Sequence, residues 1–402
     1  MRSRKGSTLL ALLALLALAM VAVGCGGDEG DTGDGGDTGD GGGKVIIGAV
    51  LGMTGDAAPG DVPASEAMEY AVDEINKAGG IDGKQVELII KDMKSDPALA
   101  STVTQELLDA GAQVIVGPAF PGMGAGAVST AAKENVTVLS ACSTQPEYTV
   151  VGGTKAYLVA FGDNVQAAAA AEYALEQGYK TAYTLTSPDL SYTERLPEFF
   201  TAAFENGGGK TIGNDTFTIG QQDFAAQVTK IASLDPAPDV VYTGMFPPDT
   251  AVFVRQLRAA GVESALYGAD GCDQQPLIDQ AGKDADGIVF STHGYPTPGS
   301  RFEEFVAGLE EFQGKPPEAP ALATTGGDVI DVIKAAVEKA GSTDPAAIGD
   351  AVAQLQDVEV VNGTITYAGT NGVPQKTVAI VEIEDGQFVF KDQFIPSFIP
   401  EP

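Results

Sequence analysis

Residues 114–126 read VIVGPAFPGMGAG, a short β-branched run followed by a segment rich in glycine and proline. Within it, GMGAGA at residues 122–127 satisfies the letters of the dinucleotide fingerprint G-x-G-x-x-G/A, after a predicted strand and before a predicted helix. The same geometry presents free N–H groups and partial positive charge at a helix N-terminus, which also suits a carboxylate. A third interpretation is a glycine-rich turn that only reverses the chain.

The dinucleotide interpretation lacks its second element. The fingerprint belongs at the first strand of its unit and expects an acidic residue at the end of the next strand. Here the next strand, VTVLS, ends in Ser140 and continues into Ala141 and Cys142. No G-x-S-x-G elbow or H-E-x-x-H helix occurs in the sequence. We therefore expect no cofactor, and the sequence favours a binding protein over an enzyme such as a dehydrogenase.

The composition excludes several classes of partner. Asp and Glu number 55 against 23 Lys and Arg, so the net charge of −32 opposes binding to nucleic acid or to an anionic lipid surface. One histidine, His293, and three cysteines are too few for a His-rich or Cys-rich zinc cluster, so we expect no metal. A chain of 402 residues is long enough for two domains of ordinary size.

The N-terminus has the pattern of an export signal. Basic residues precede an apolar run over residues 9–23, which is shorter than the ~20 residues of a membrane-spanning helix, the alternative interpretation. The run ends in AVGC, which resembles a bacterial lipobox and implies a signal peptide at residues 1–24 and a lipidated Cys25. Residues 26–43 have no apolar side chain, so residues 25–43 are expected to form a flexible tether. The sequence thus predicts an extracytoplasmic protein whose only membrane contact is its N-terminal lipid.

From Lys44 onward, strand-like and helix-like segments alternate. Short runs such as KVIIGAV and QVELIIKD are interleaved with segments whose apolar residues recur every three or four positions, as in SEAMEYAVDEINKAG. Strands without polar positions predict parallel sheets with helices on both faces. A second, independent set of such segments follows AYLVAFGDN. We therefore expect an α/β protein of two doubly wound parallel-sheet lobes, with a ligand cleft at the carboxyl ends of both sets of strands.

Five segments carry a family resemblance: IGAVLGMTGD, AVDEINKAGGIDGKQVELIIKDMKSDP, VIVGP, STQPEYT and DVVYTGMFPPDTAVFVRQLRAAGV. Together they resemble the branched-chain amino acid binding proteins of ABC importers, which have the type I periplasmic-binding-protein fold. The resemblance runs from Lys44 to the mid-380s and implies three crossings between lobes, near residues 161–164, 291–295 and 368–372. It implies one lobe of residues 44–162 and 293–368, and another of residues 163–292 and 369–402.

The resemblance also implies contacts for the ammonium group of an amino acid. A main-chain carbonyl and a hydroxyl after the fourth strand match Cys142 and Thr144, on either side of Ser143. The acidic partner of the ammonium matches Asp270, which follows the strand ALYG. Taken alone, Asp270 could instead cap a turn and Thr144 could cap the segment before Pro146.

The rest of the implied site departs further from the family. Aromatic side chains that close over the apolar part of the ligand match Tyr192 and Phe246, although either could be ordinary core packing. Where a serine hydroxyl would meet the ligand carboxylate, this chain has Pro121. That contact would therefore come from a neighbouring residue or from the main-chain N–H groups of Gly122, Met123 and Gly124.

Three functions are compatible with these patterns. The first is a receptor that captures a small apolar amino acid by lobe closure and delivers it to an ABC permease. The ligand of such a receptor could instead be an amide or an aromatic or aliphatic carboxylic acid. The second function is a ligand sensor that uses the same fold to control a signalling partner. An enzyme is supported only by the glycine match. His293 is expected to be packed or solvated rather than catalytic, and Cys142 and Cys272 to be free thiols rather than a disulfide.

Overall fold

The computed structural model describes residues 43–151, 156–317 and 319–402. The predicted signal peptide, Cys25 and nearly all of the predicted tether lie outside the described residues. Within the described ranges, no helix combines the length and the apolar character that crossing a membrane requires.

The first sheet has five strands in the order β2-β1-β3-β4-β5, and all neighbours in it are parallel. Its central strands β3 and β4 are completely buried, whereas the edge strand β2 is only partly buried. This burial explains why the central strands read as continuous apolar runs. The strands are β1 Val45–Leu51, β2 Val86–Asp92, β3 Val114–Gly117, β4 Thr137–Ser140 and β5 Ala156–Leu158.

The helices that connect these strands begin at recognisable signals. Asp96 caps α2, because its side chain accepts a hydrogen bond from the N–H of Ala98 at 2.9 Å, and Pro97 occupies the first turn. Helix α3 begins at Pro121, so the glycines after it lie within a helix and not in a turn, which was the third interpretation of this segment. The three helices are α1 Ala58–Lys77, α2 Pro97–Asp109 and α3 Pro121–Lys133.

Those glycines allow close packing. A Cβ atom at Gly124 would lie 2.7 Å from the hydroxyl of Tyr148, and one at Gly126 would lie 2.9 Å from the hydroxyl of Ser101 on α2. Tyr148 is completely buried at this contact. The glycines of α3 thus accommodate an aromatic ring and a neighbouring helix.

The second sheet has seven strands in the order β15-β14-β10-β9-β8-β6-β7. Strands β6 to β10 are parallel, as predicted, but β14 pairs antiparallel with β10 and β15 antiparallel with β14. The strands are β6 Thr181–Thr186, β7 Lys210–Thr216, β8 Val240–Thr243, β9 Ala265–Gly268, β10 Ile288–Thr292, β14 Val378–Glu384 and β15 Gln387–Phe394.

Helices cover the second sheet as a doubly wound arrangement requires. The alanine-rich α4 and the aromatic face of α5 share one apolar cluster with β8 and β9, in which the rings of Phe200 and Tyr242 stack 4.2 Å apart. Helix α7 contributes to a separate cluster with β6 and β10. The helices are α4 Asp163–Glu176, α5 Ser191–Asn206, α6 Ala225–Ala232, α7 Asp249–Ala259 and α8 Gln275–Ala281.

The chain after β10 returns to the first sheet before it completes the second. Helix α10 packs its apolar face in one cluster with α1 and β1. A small antiparallel sheet, in the order β11-β12-β13, follows. The elements are α9 Arg301–Gln313, α10 Pro320–Ala340, α11 Pro345–Val352, β11 Val358–Val360, β12 Gly363–Thr366 and β13 Gln375–Lys376.

The two independent sheets, one parallel and one mostly parallel, confirm the predicted α/β fold class. The residue limits given for the lobes remain a prediction. β13 follows the third expected crossing and pairs with β12 in the small sheet. The predicted free thiols are confirmed, since Cys142 and Cys272 are both buried and unbridged.

Candidate functional site

A cavity of about 800 Å³ lies where the carboxyl ends of the two large sheets meet. The first sheet contributes residues that follow β3 and β4, together with the N-terminal part of α1. The second contributes residues that follow β6, β8, β9 and β10. Loops at the carboxyl ends of parallel strands form the usual ligand site of doubly wound sheets. We call this cavity the cleft.

Five of the residues singled out in the sequence line the cleft. Two of them follow β4, and the other three follow β6, β8 and β9. They are Cys142, Thr144, Tyr192, Phe246 and Asp270.

Asp270 is the best-connected polar group of the cleft. Its Oδ1 accepts hydrogen bonds from the hydroxyl of Tyr192 and from Nε2 of Gln166, both at 2.8 Å. Its Oδ2 lies 3.3 Å from Nε2 of His293, and 15% of the side chain remains exposed. Burial alone would raise the pKa of Asp270, but the contacts with His293, Gln166 and Tyr192 lower it below its ordinary value. Asp270 therefore carries a negative charge that faces the cleft.

The pKa values of two other carboxyl groups near Asp270 are raised rather than lowered. Burial raises the pKa of Asp163 well above its ordinary value, and the charge of Asp270 raises it further. Burial raises the pKa of Asp273 to about 6. Asp273 lines the cleft, whereas Asp163 lies behind it with its Oδ1 accepting a hydrogen bond from Gln166 at 3.0 Å. Of these three carboxyl groups, Asp270 is therefore the one that most readily carries a negative charge.

Sequence reasoning missed Gln166, which fixes the position of Asp270. The side chain is fully buried on the first turn of α4. Its Oε1 accepts hydrogen bonds from the Asp270 N–H at 3.1 Å and from the Ser291 hydroxyl at 2.9 Å. The predicted crossing at residues 161–164 ends just before it, but a buried glutamine within an alanine-rich helix gave no chemical signal in the sequence.

Sequence reasoning also missed the position of His293 beside Asp270. It lines the cleft directly after β10, beside Asp270, and its ring stacks on Phe161 with 4.5 Å between the ring centroids. The sequence placed it near a crossing between lobes but did not place it beside a charged group.

Asp61 organises the first-sheet side of the cleft. It is completely buried on α1, and its carboxylate accepts hydrogen bonds from the N–H of Gly52 at 2.8 Å and of Ala119 at 3.0 Å. The thiol of Cys142 lies 3.6 Å from Oδ1. Burial raises the pKa of Asp61 to about 7 despite these contacts. A single carboxyl group therefore connects the loops after β1, β3 and β4.

Cys142 and Thr144 border the cleft from the loop after β4. The Thr144 carbonyl accepts a hydrogen bond from the N–H of Asp163 at 2.6 Å, which links this loop to the start of α4. Burial, and then the nearby carboxyl of Asp61, raise the pKa of the Cys142 thiol well above its ordinary range. Ser143, between them, is buried outside the cleft lining, and its N–H donates to the Ser140 hydroxyl at 3.1 Å.

The first turn of α3 lies beside the cleft, where Phe120, the residue before it, forms part of the lining. Pro121, Gly122, Met123 and Gly124 are not among the described lining residues. The N–H groups of Met123 and Gly124 donate to the Phe120 carbonyl at 3.0 and 2.9 Å. Contact between this turn and a ligand carboxylate remains a prediction.

The remaining lining is mostly apolar on one side and acidic on the other. Phe120, Ala119 and Leu322 face the cleft from the first-sheet side, and Phe246 from the second. Among the described lining residues, Lys315 is the one lysine and arginine is absent. No cluster of His, Cys, Asp and Glu within the described ranges has the arrangement of a metal site. Such a cleft suits a small molecule with a cationic head and an apolar body.

Comparison with known proteins supports a family assignment. The family described as Periplasmic binding protein matches residues 44–387. The Leu/Ile/Val-binding protein homolog 3 of Brucella melitensis is 28% identical over 86% of this chain and 93% of the relative. A leucine binding protein from Thermotoga maritima is 28% identical, with a TM-score of 0.73, over 88% of this chain and 99% of that structure.

A second solved structure is similar to the same extent. It is a branched-chain amino acid transporter substrate binding protein from Streptococcus pneumoniae in complex with isoleucine. It is 26% identical, has a TM-score of 0.72, and covers 89% of this chain and 100% of its own. These matches confirm the resemblance seen in the sequence, and they are to solute-binding proteins rather than enzymes. Because the family match spans most of the described residues, the chain belongs to the periplasmic binding protein family.

Proposed function

We propose that this protein is the extracytoplasmic receptor of an ABC importer and that it captures a small apolar amino acid of the branched-chain type. The observation that carries the proposal is the charged carboxylate of Asp270, which faces a cleft with apolar walls. The named ligands of the relatives from Thermotoga and Streptococcus, leucine and isoleucine, have this combination of an ammonium group and an apolar side chain.

The charges of the cleft favour a ligand with an ammonium group over a simple carboxylic acid. Asp270 and Asp273 both line the cleft on the second-sheet side. Lys315, on the opposite side, lies 3.5 Å from Glu66 and so already has an acidic partner. Asp270 lies 3.3 Å from His293, but 15% of its side chain remains exposed, so an ammonium group would find in it the charged partner that a desolvated cation requires.

Capture would proceed by closure of the two lobes over the ligand. In the open form the ligand would contact mainly the loops after β3 and β4, including Thr144 and the Cys142 carbonyl. Closure would add Tyr192, Phe246 and Asp270 from the second lobe. These additional contacts would favour the closed form, because a ligand shifts an equilibrium only towards the state that it binds better.

The same proposal includes the place of the protein in the cell. Cleavage before Cys25 and lipidation of that residue would anchor the domain to the outer face of the membrane, and the Gly- and Asp-rich tether would hold it clear of the lipid. An ABC permease would then receive the ligand from the closed form. A role as sensor for a signalling partner would use the same cleft and the same closure.

Calorimetry with two ligands tests the role of Asp270. Leucine and 4-methylpentanoate have the same apolar body and the same carboxylate, and differ only in the ammonium group. We expect leucine to bind at least a hundredfold more tightly, because its ammonium would form a buried charge pair with Asp270, and breaking such a pair costs about 3–5 kcal/mol. Asp270→Asn should reduce this preference.

The control variant is Asp82→Asn, which removes one negative charge from an exposed position. Asp82 has a φ of 48°, a conformation that asparagine adopts readily, so this variant should keep the preference of the wild type. Equal affinities for the two ligands in the wild type would exclude the proposed role of Asp270 and favour an aliphatic or aromatic acid as ligand.

A further inference from the structure

A hydrogen bond between Glu147 and Ser191 joins the two sides of the cleft. The hydroxyl of Ser191 donates to Oε1 of Glu147 at 2.8 Å. Glu147 follows β4 of the first sheet, whereas Ser191 begins α5 and follows β6 of the second sheet. The first predicted crossing, at residues 161–164, lies between them in the sequence. The bond therefore connects loops that belong to different predicted lobes.

The position of this bond differs from that of other hydrogen bonds between the predicted lobes. The N–H of Asp163, for example, donates to the Thr144 carbonyl, but Asp163 is itself part of the first crossing. Such a bond can persist while the lobes rotate about the crossings. Neither Glu147 nor Ser191 belongs to a crossing, so opening of the cleft would separate them.

The Glu147 side chain is positioned by its neighbour in the chain. Glu147 lies in a short 3₁₀ helix, Pro146–Thr149, in which the ring of Tyr148 is completely buried beside Gly124 of α3. Its second oxygen, Oε2, is buried and has no hydrogen-bond partner among the described residues. The dipole of α5 favours an acidic group beside the first turn of that helix, where Ser191 lies. The pairing of Glu147 with Ser191 is therefore favourable in both charge and geometry.

Ser191 is flanked in the sequence by two residues that line the cleft. They are Leu190 and Tyr192, and the hydroxyl of Tyr192 donates to Asp270 at 2.8 Å. A bond that fixes Ser191 to the first-sheet side therefore also fixes the side chains on either side of it. Neither partner of the bond is among the described lining residues, so it can act without contacting the ligand.

We propose that the Glu147–Ser191 hydrogen bond is a latch of the closed form, which holds Leu190 and Tyr192 over a bound ligand and slows its release. This inference rests on the proposed function, in which two lobes close over an amino acid. A bond made only in the closed form raises the population of that form, and the apparent affinity for ligand rises with that population. Glu147 and Ser191 are thus positioning residues for capture.

Stopped-flow kinetics of leucine binding, with tyrosine fluorescence as the signal, tests the latch. Ser191→Ala removes the donor and Glu147→Ala removes the acceptor. We expect each variant to raise the dissociation rate constant about tenfold, as for loss of a hydrogen bond to a charged group, with little change in the association rate constant. The double variant should release leucine no faster than the single variants, because both substitutions remove the same bond.

Conservative variants separate the bond from a general structural role. Glu147→Gln keeps an acceptor and Ser191→Thr keeps the hydroxyl, so both should release leucine within about threefold of the wild-type rate. Ser129→Ala is the matched control, because this exposed hydroxyl donates to the Ala125 carbonyl of its own helix at 2.6 Å. It should leave leucine release unchanged.

The outcomes separate this inference from the proposed function. Unchanged leucine release in both alanine variants, additive effects in the double variant, or equal effects of Glu147→Gln and Glu147→Ala would overturn the latch and leave amino acid capture intact. Failure of leucine and other amino acids to bind the wild type would overturn the proposed function, and the latch with it.

Discussion

Replacing Asp61 by alanine should destabilise the first-sheet lobe and distort its side of the cleft. The carboxylate of Asp61 accepts the N–H groups of Gly52 and Ala119, which belong to loops after two different strands. Asp61 is completely buried, so water cannot readily replace it. Alanine would leave both N–H groups without a partner in the interior.

The expected cost follows from those two hydrogen bonds. Each buried donor left without an acceptor costs about 1–3 kcal/mol, so Asp61→Ala should lower the free energy of unfolding by roughly 2–6 kcal/mol. Asp61→Asn keeps one acceptor oxygen but places an amide N–H₂ near the second donor. It should therefore cost about half as much at acidic pH, where the wild-type carboxyl is neutral.

The same group predicts a pH dependence of stability. Burial raises the pKa of Asp61 from its ordinary value of 3.8 to about 7 in the folded protein. Between these values the folded state binds more protons than the unfolded state, so the contribution of Asp61 is fully present below pH 4 and is lost as the pH rises through 7. The difference in stability between wild type and Asp61→Asn should therefore narrow from pH 5 to pH 7.5.

Urea unfolding at both pH values measures these effects. Circular dichroism and tyrosine fluorescence are suitable signals because the chain has no tryptophan. Asp82→Asn again serves as the control for loss of a carboxylate at an exposed position. If Asp61→Ala changes the free energy of unfolding by less than about 0.5 kcal/mol, the range of ordinary surface substitutions, the reasoning from buried donors is refuted.

Two further substitutions examine packing and anchoring. Gly124→Ala should lower the free energy of unfolding by about 1–3 kcal/mol, because the new Cβ presses on the buried ring of Tyr148, whereas Gly122→Ala, whose Cβ would meet open space, should leave it unchanged or slightly higher in the same urea titration. Equal effects of the two glycine substitutions would contradict the packing argument. Cys25→Ala should move the mature domain from the membrane fraction to the soluble fraction, with unchanged thermal unfolding; full membrane retention would contradict lipid anchoring.

Hydrophobic patterning was sufficient to predict most of the parallel strands of both sheets, but not β5, β7 or β10. Runs such as VIVG and VVYT are apolar at every position because both of their faces are buried by helices, and this is a local property of the sequence. The antiparallel edge formed by β14 and β15 was not predicted. The pairing of β14 with β10 depends on contacts between strands separated by about ninety residues, such as Phe290 with Val381, which local periodicity does not report.

The residues of the site also divide into those that the sequence indicated and those that only the folded structure revealed. The family resemblance of the sequence indicated residues for ligand contact, including Asp270, Tyr192 and Thr144. The sequence also indicated the glycines of α3. Packing between elements decided their role, which is to leave room for the ring of Tyr148 beside this helix. Only the tertiary structure brought Gln166 and His293 to the carboxylate of Asp270, and Asp61 to the loops of two strands. The physical reason is that propensity and periodicity act within about one turn or one strand. Burial, charge proximity and the pairing of buried donors arise between segments that meet only in the folded protein.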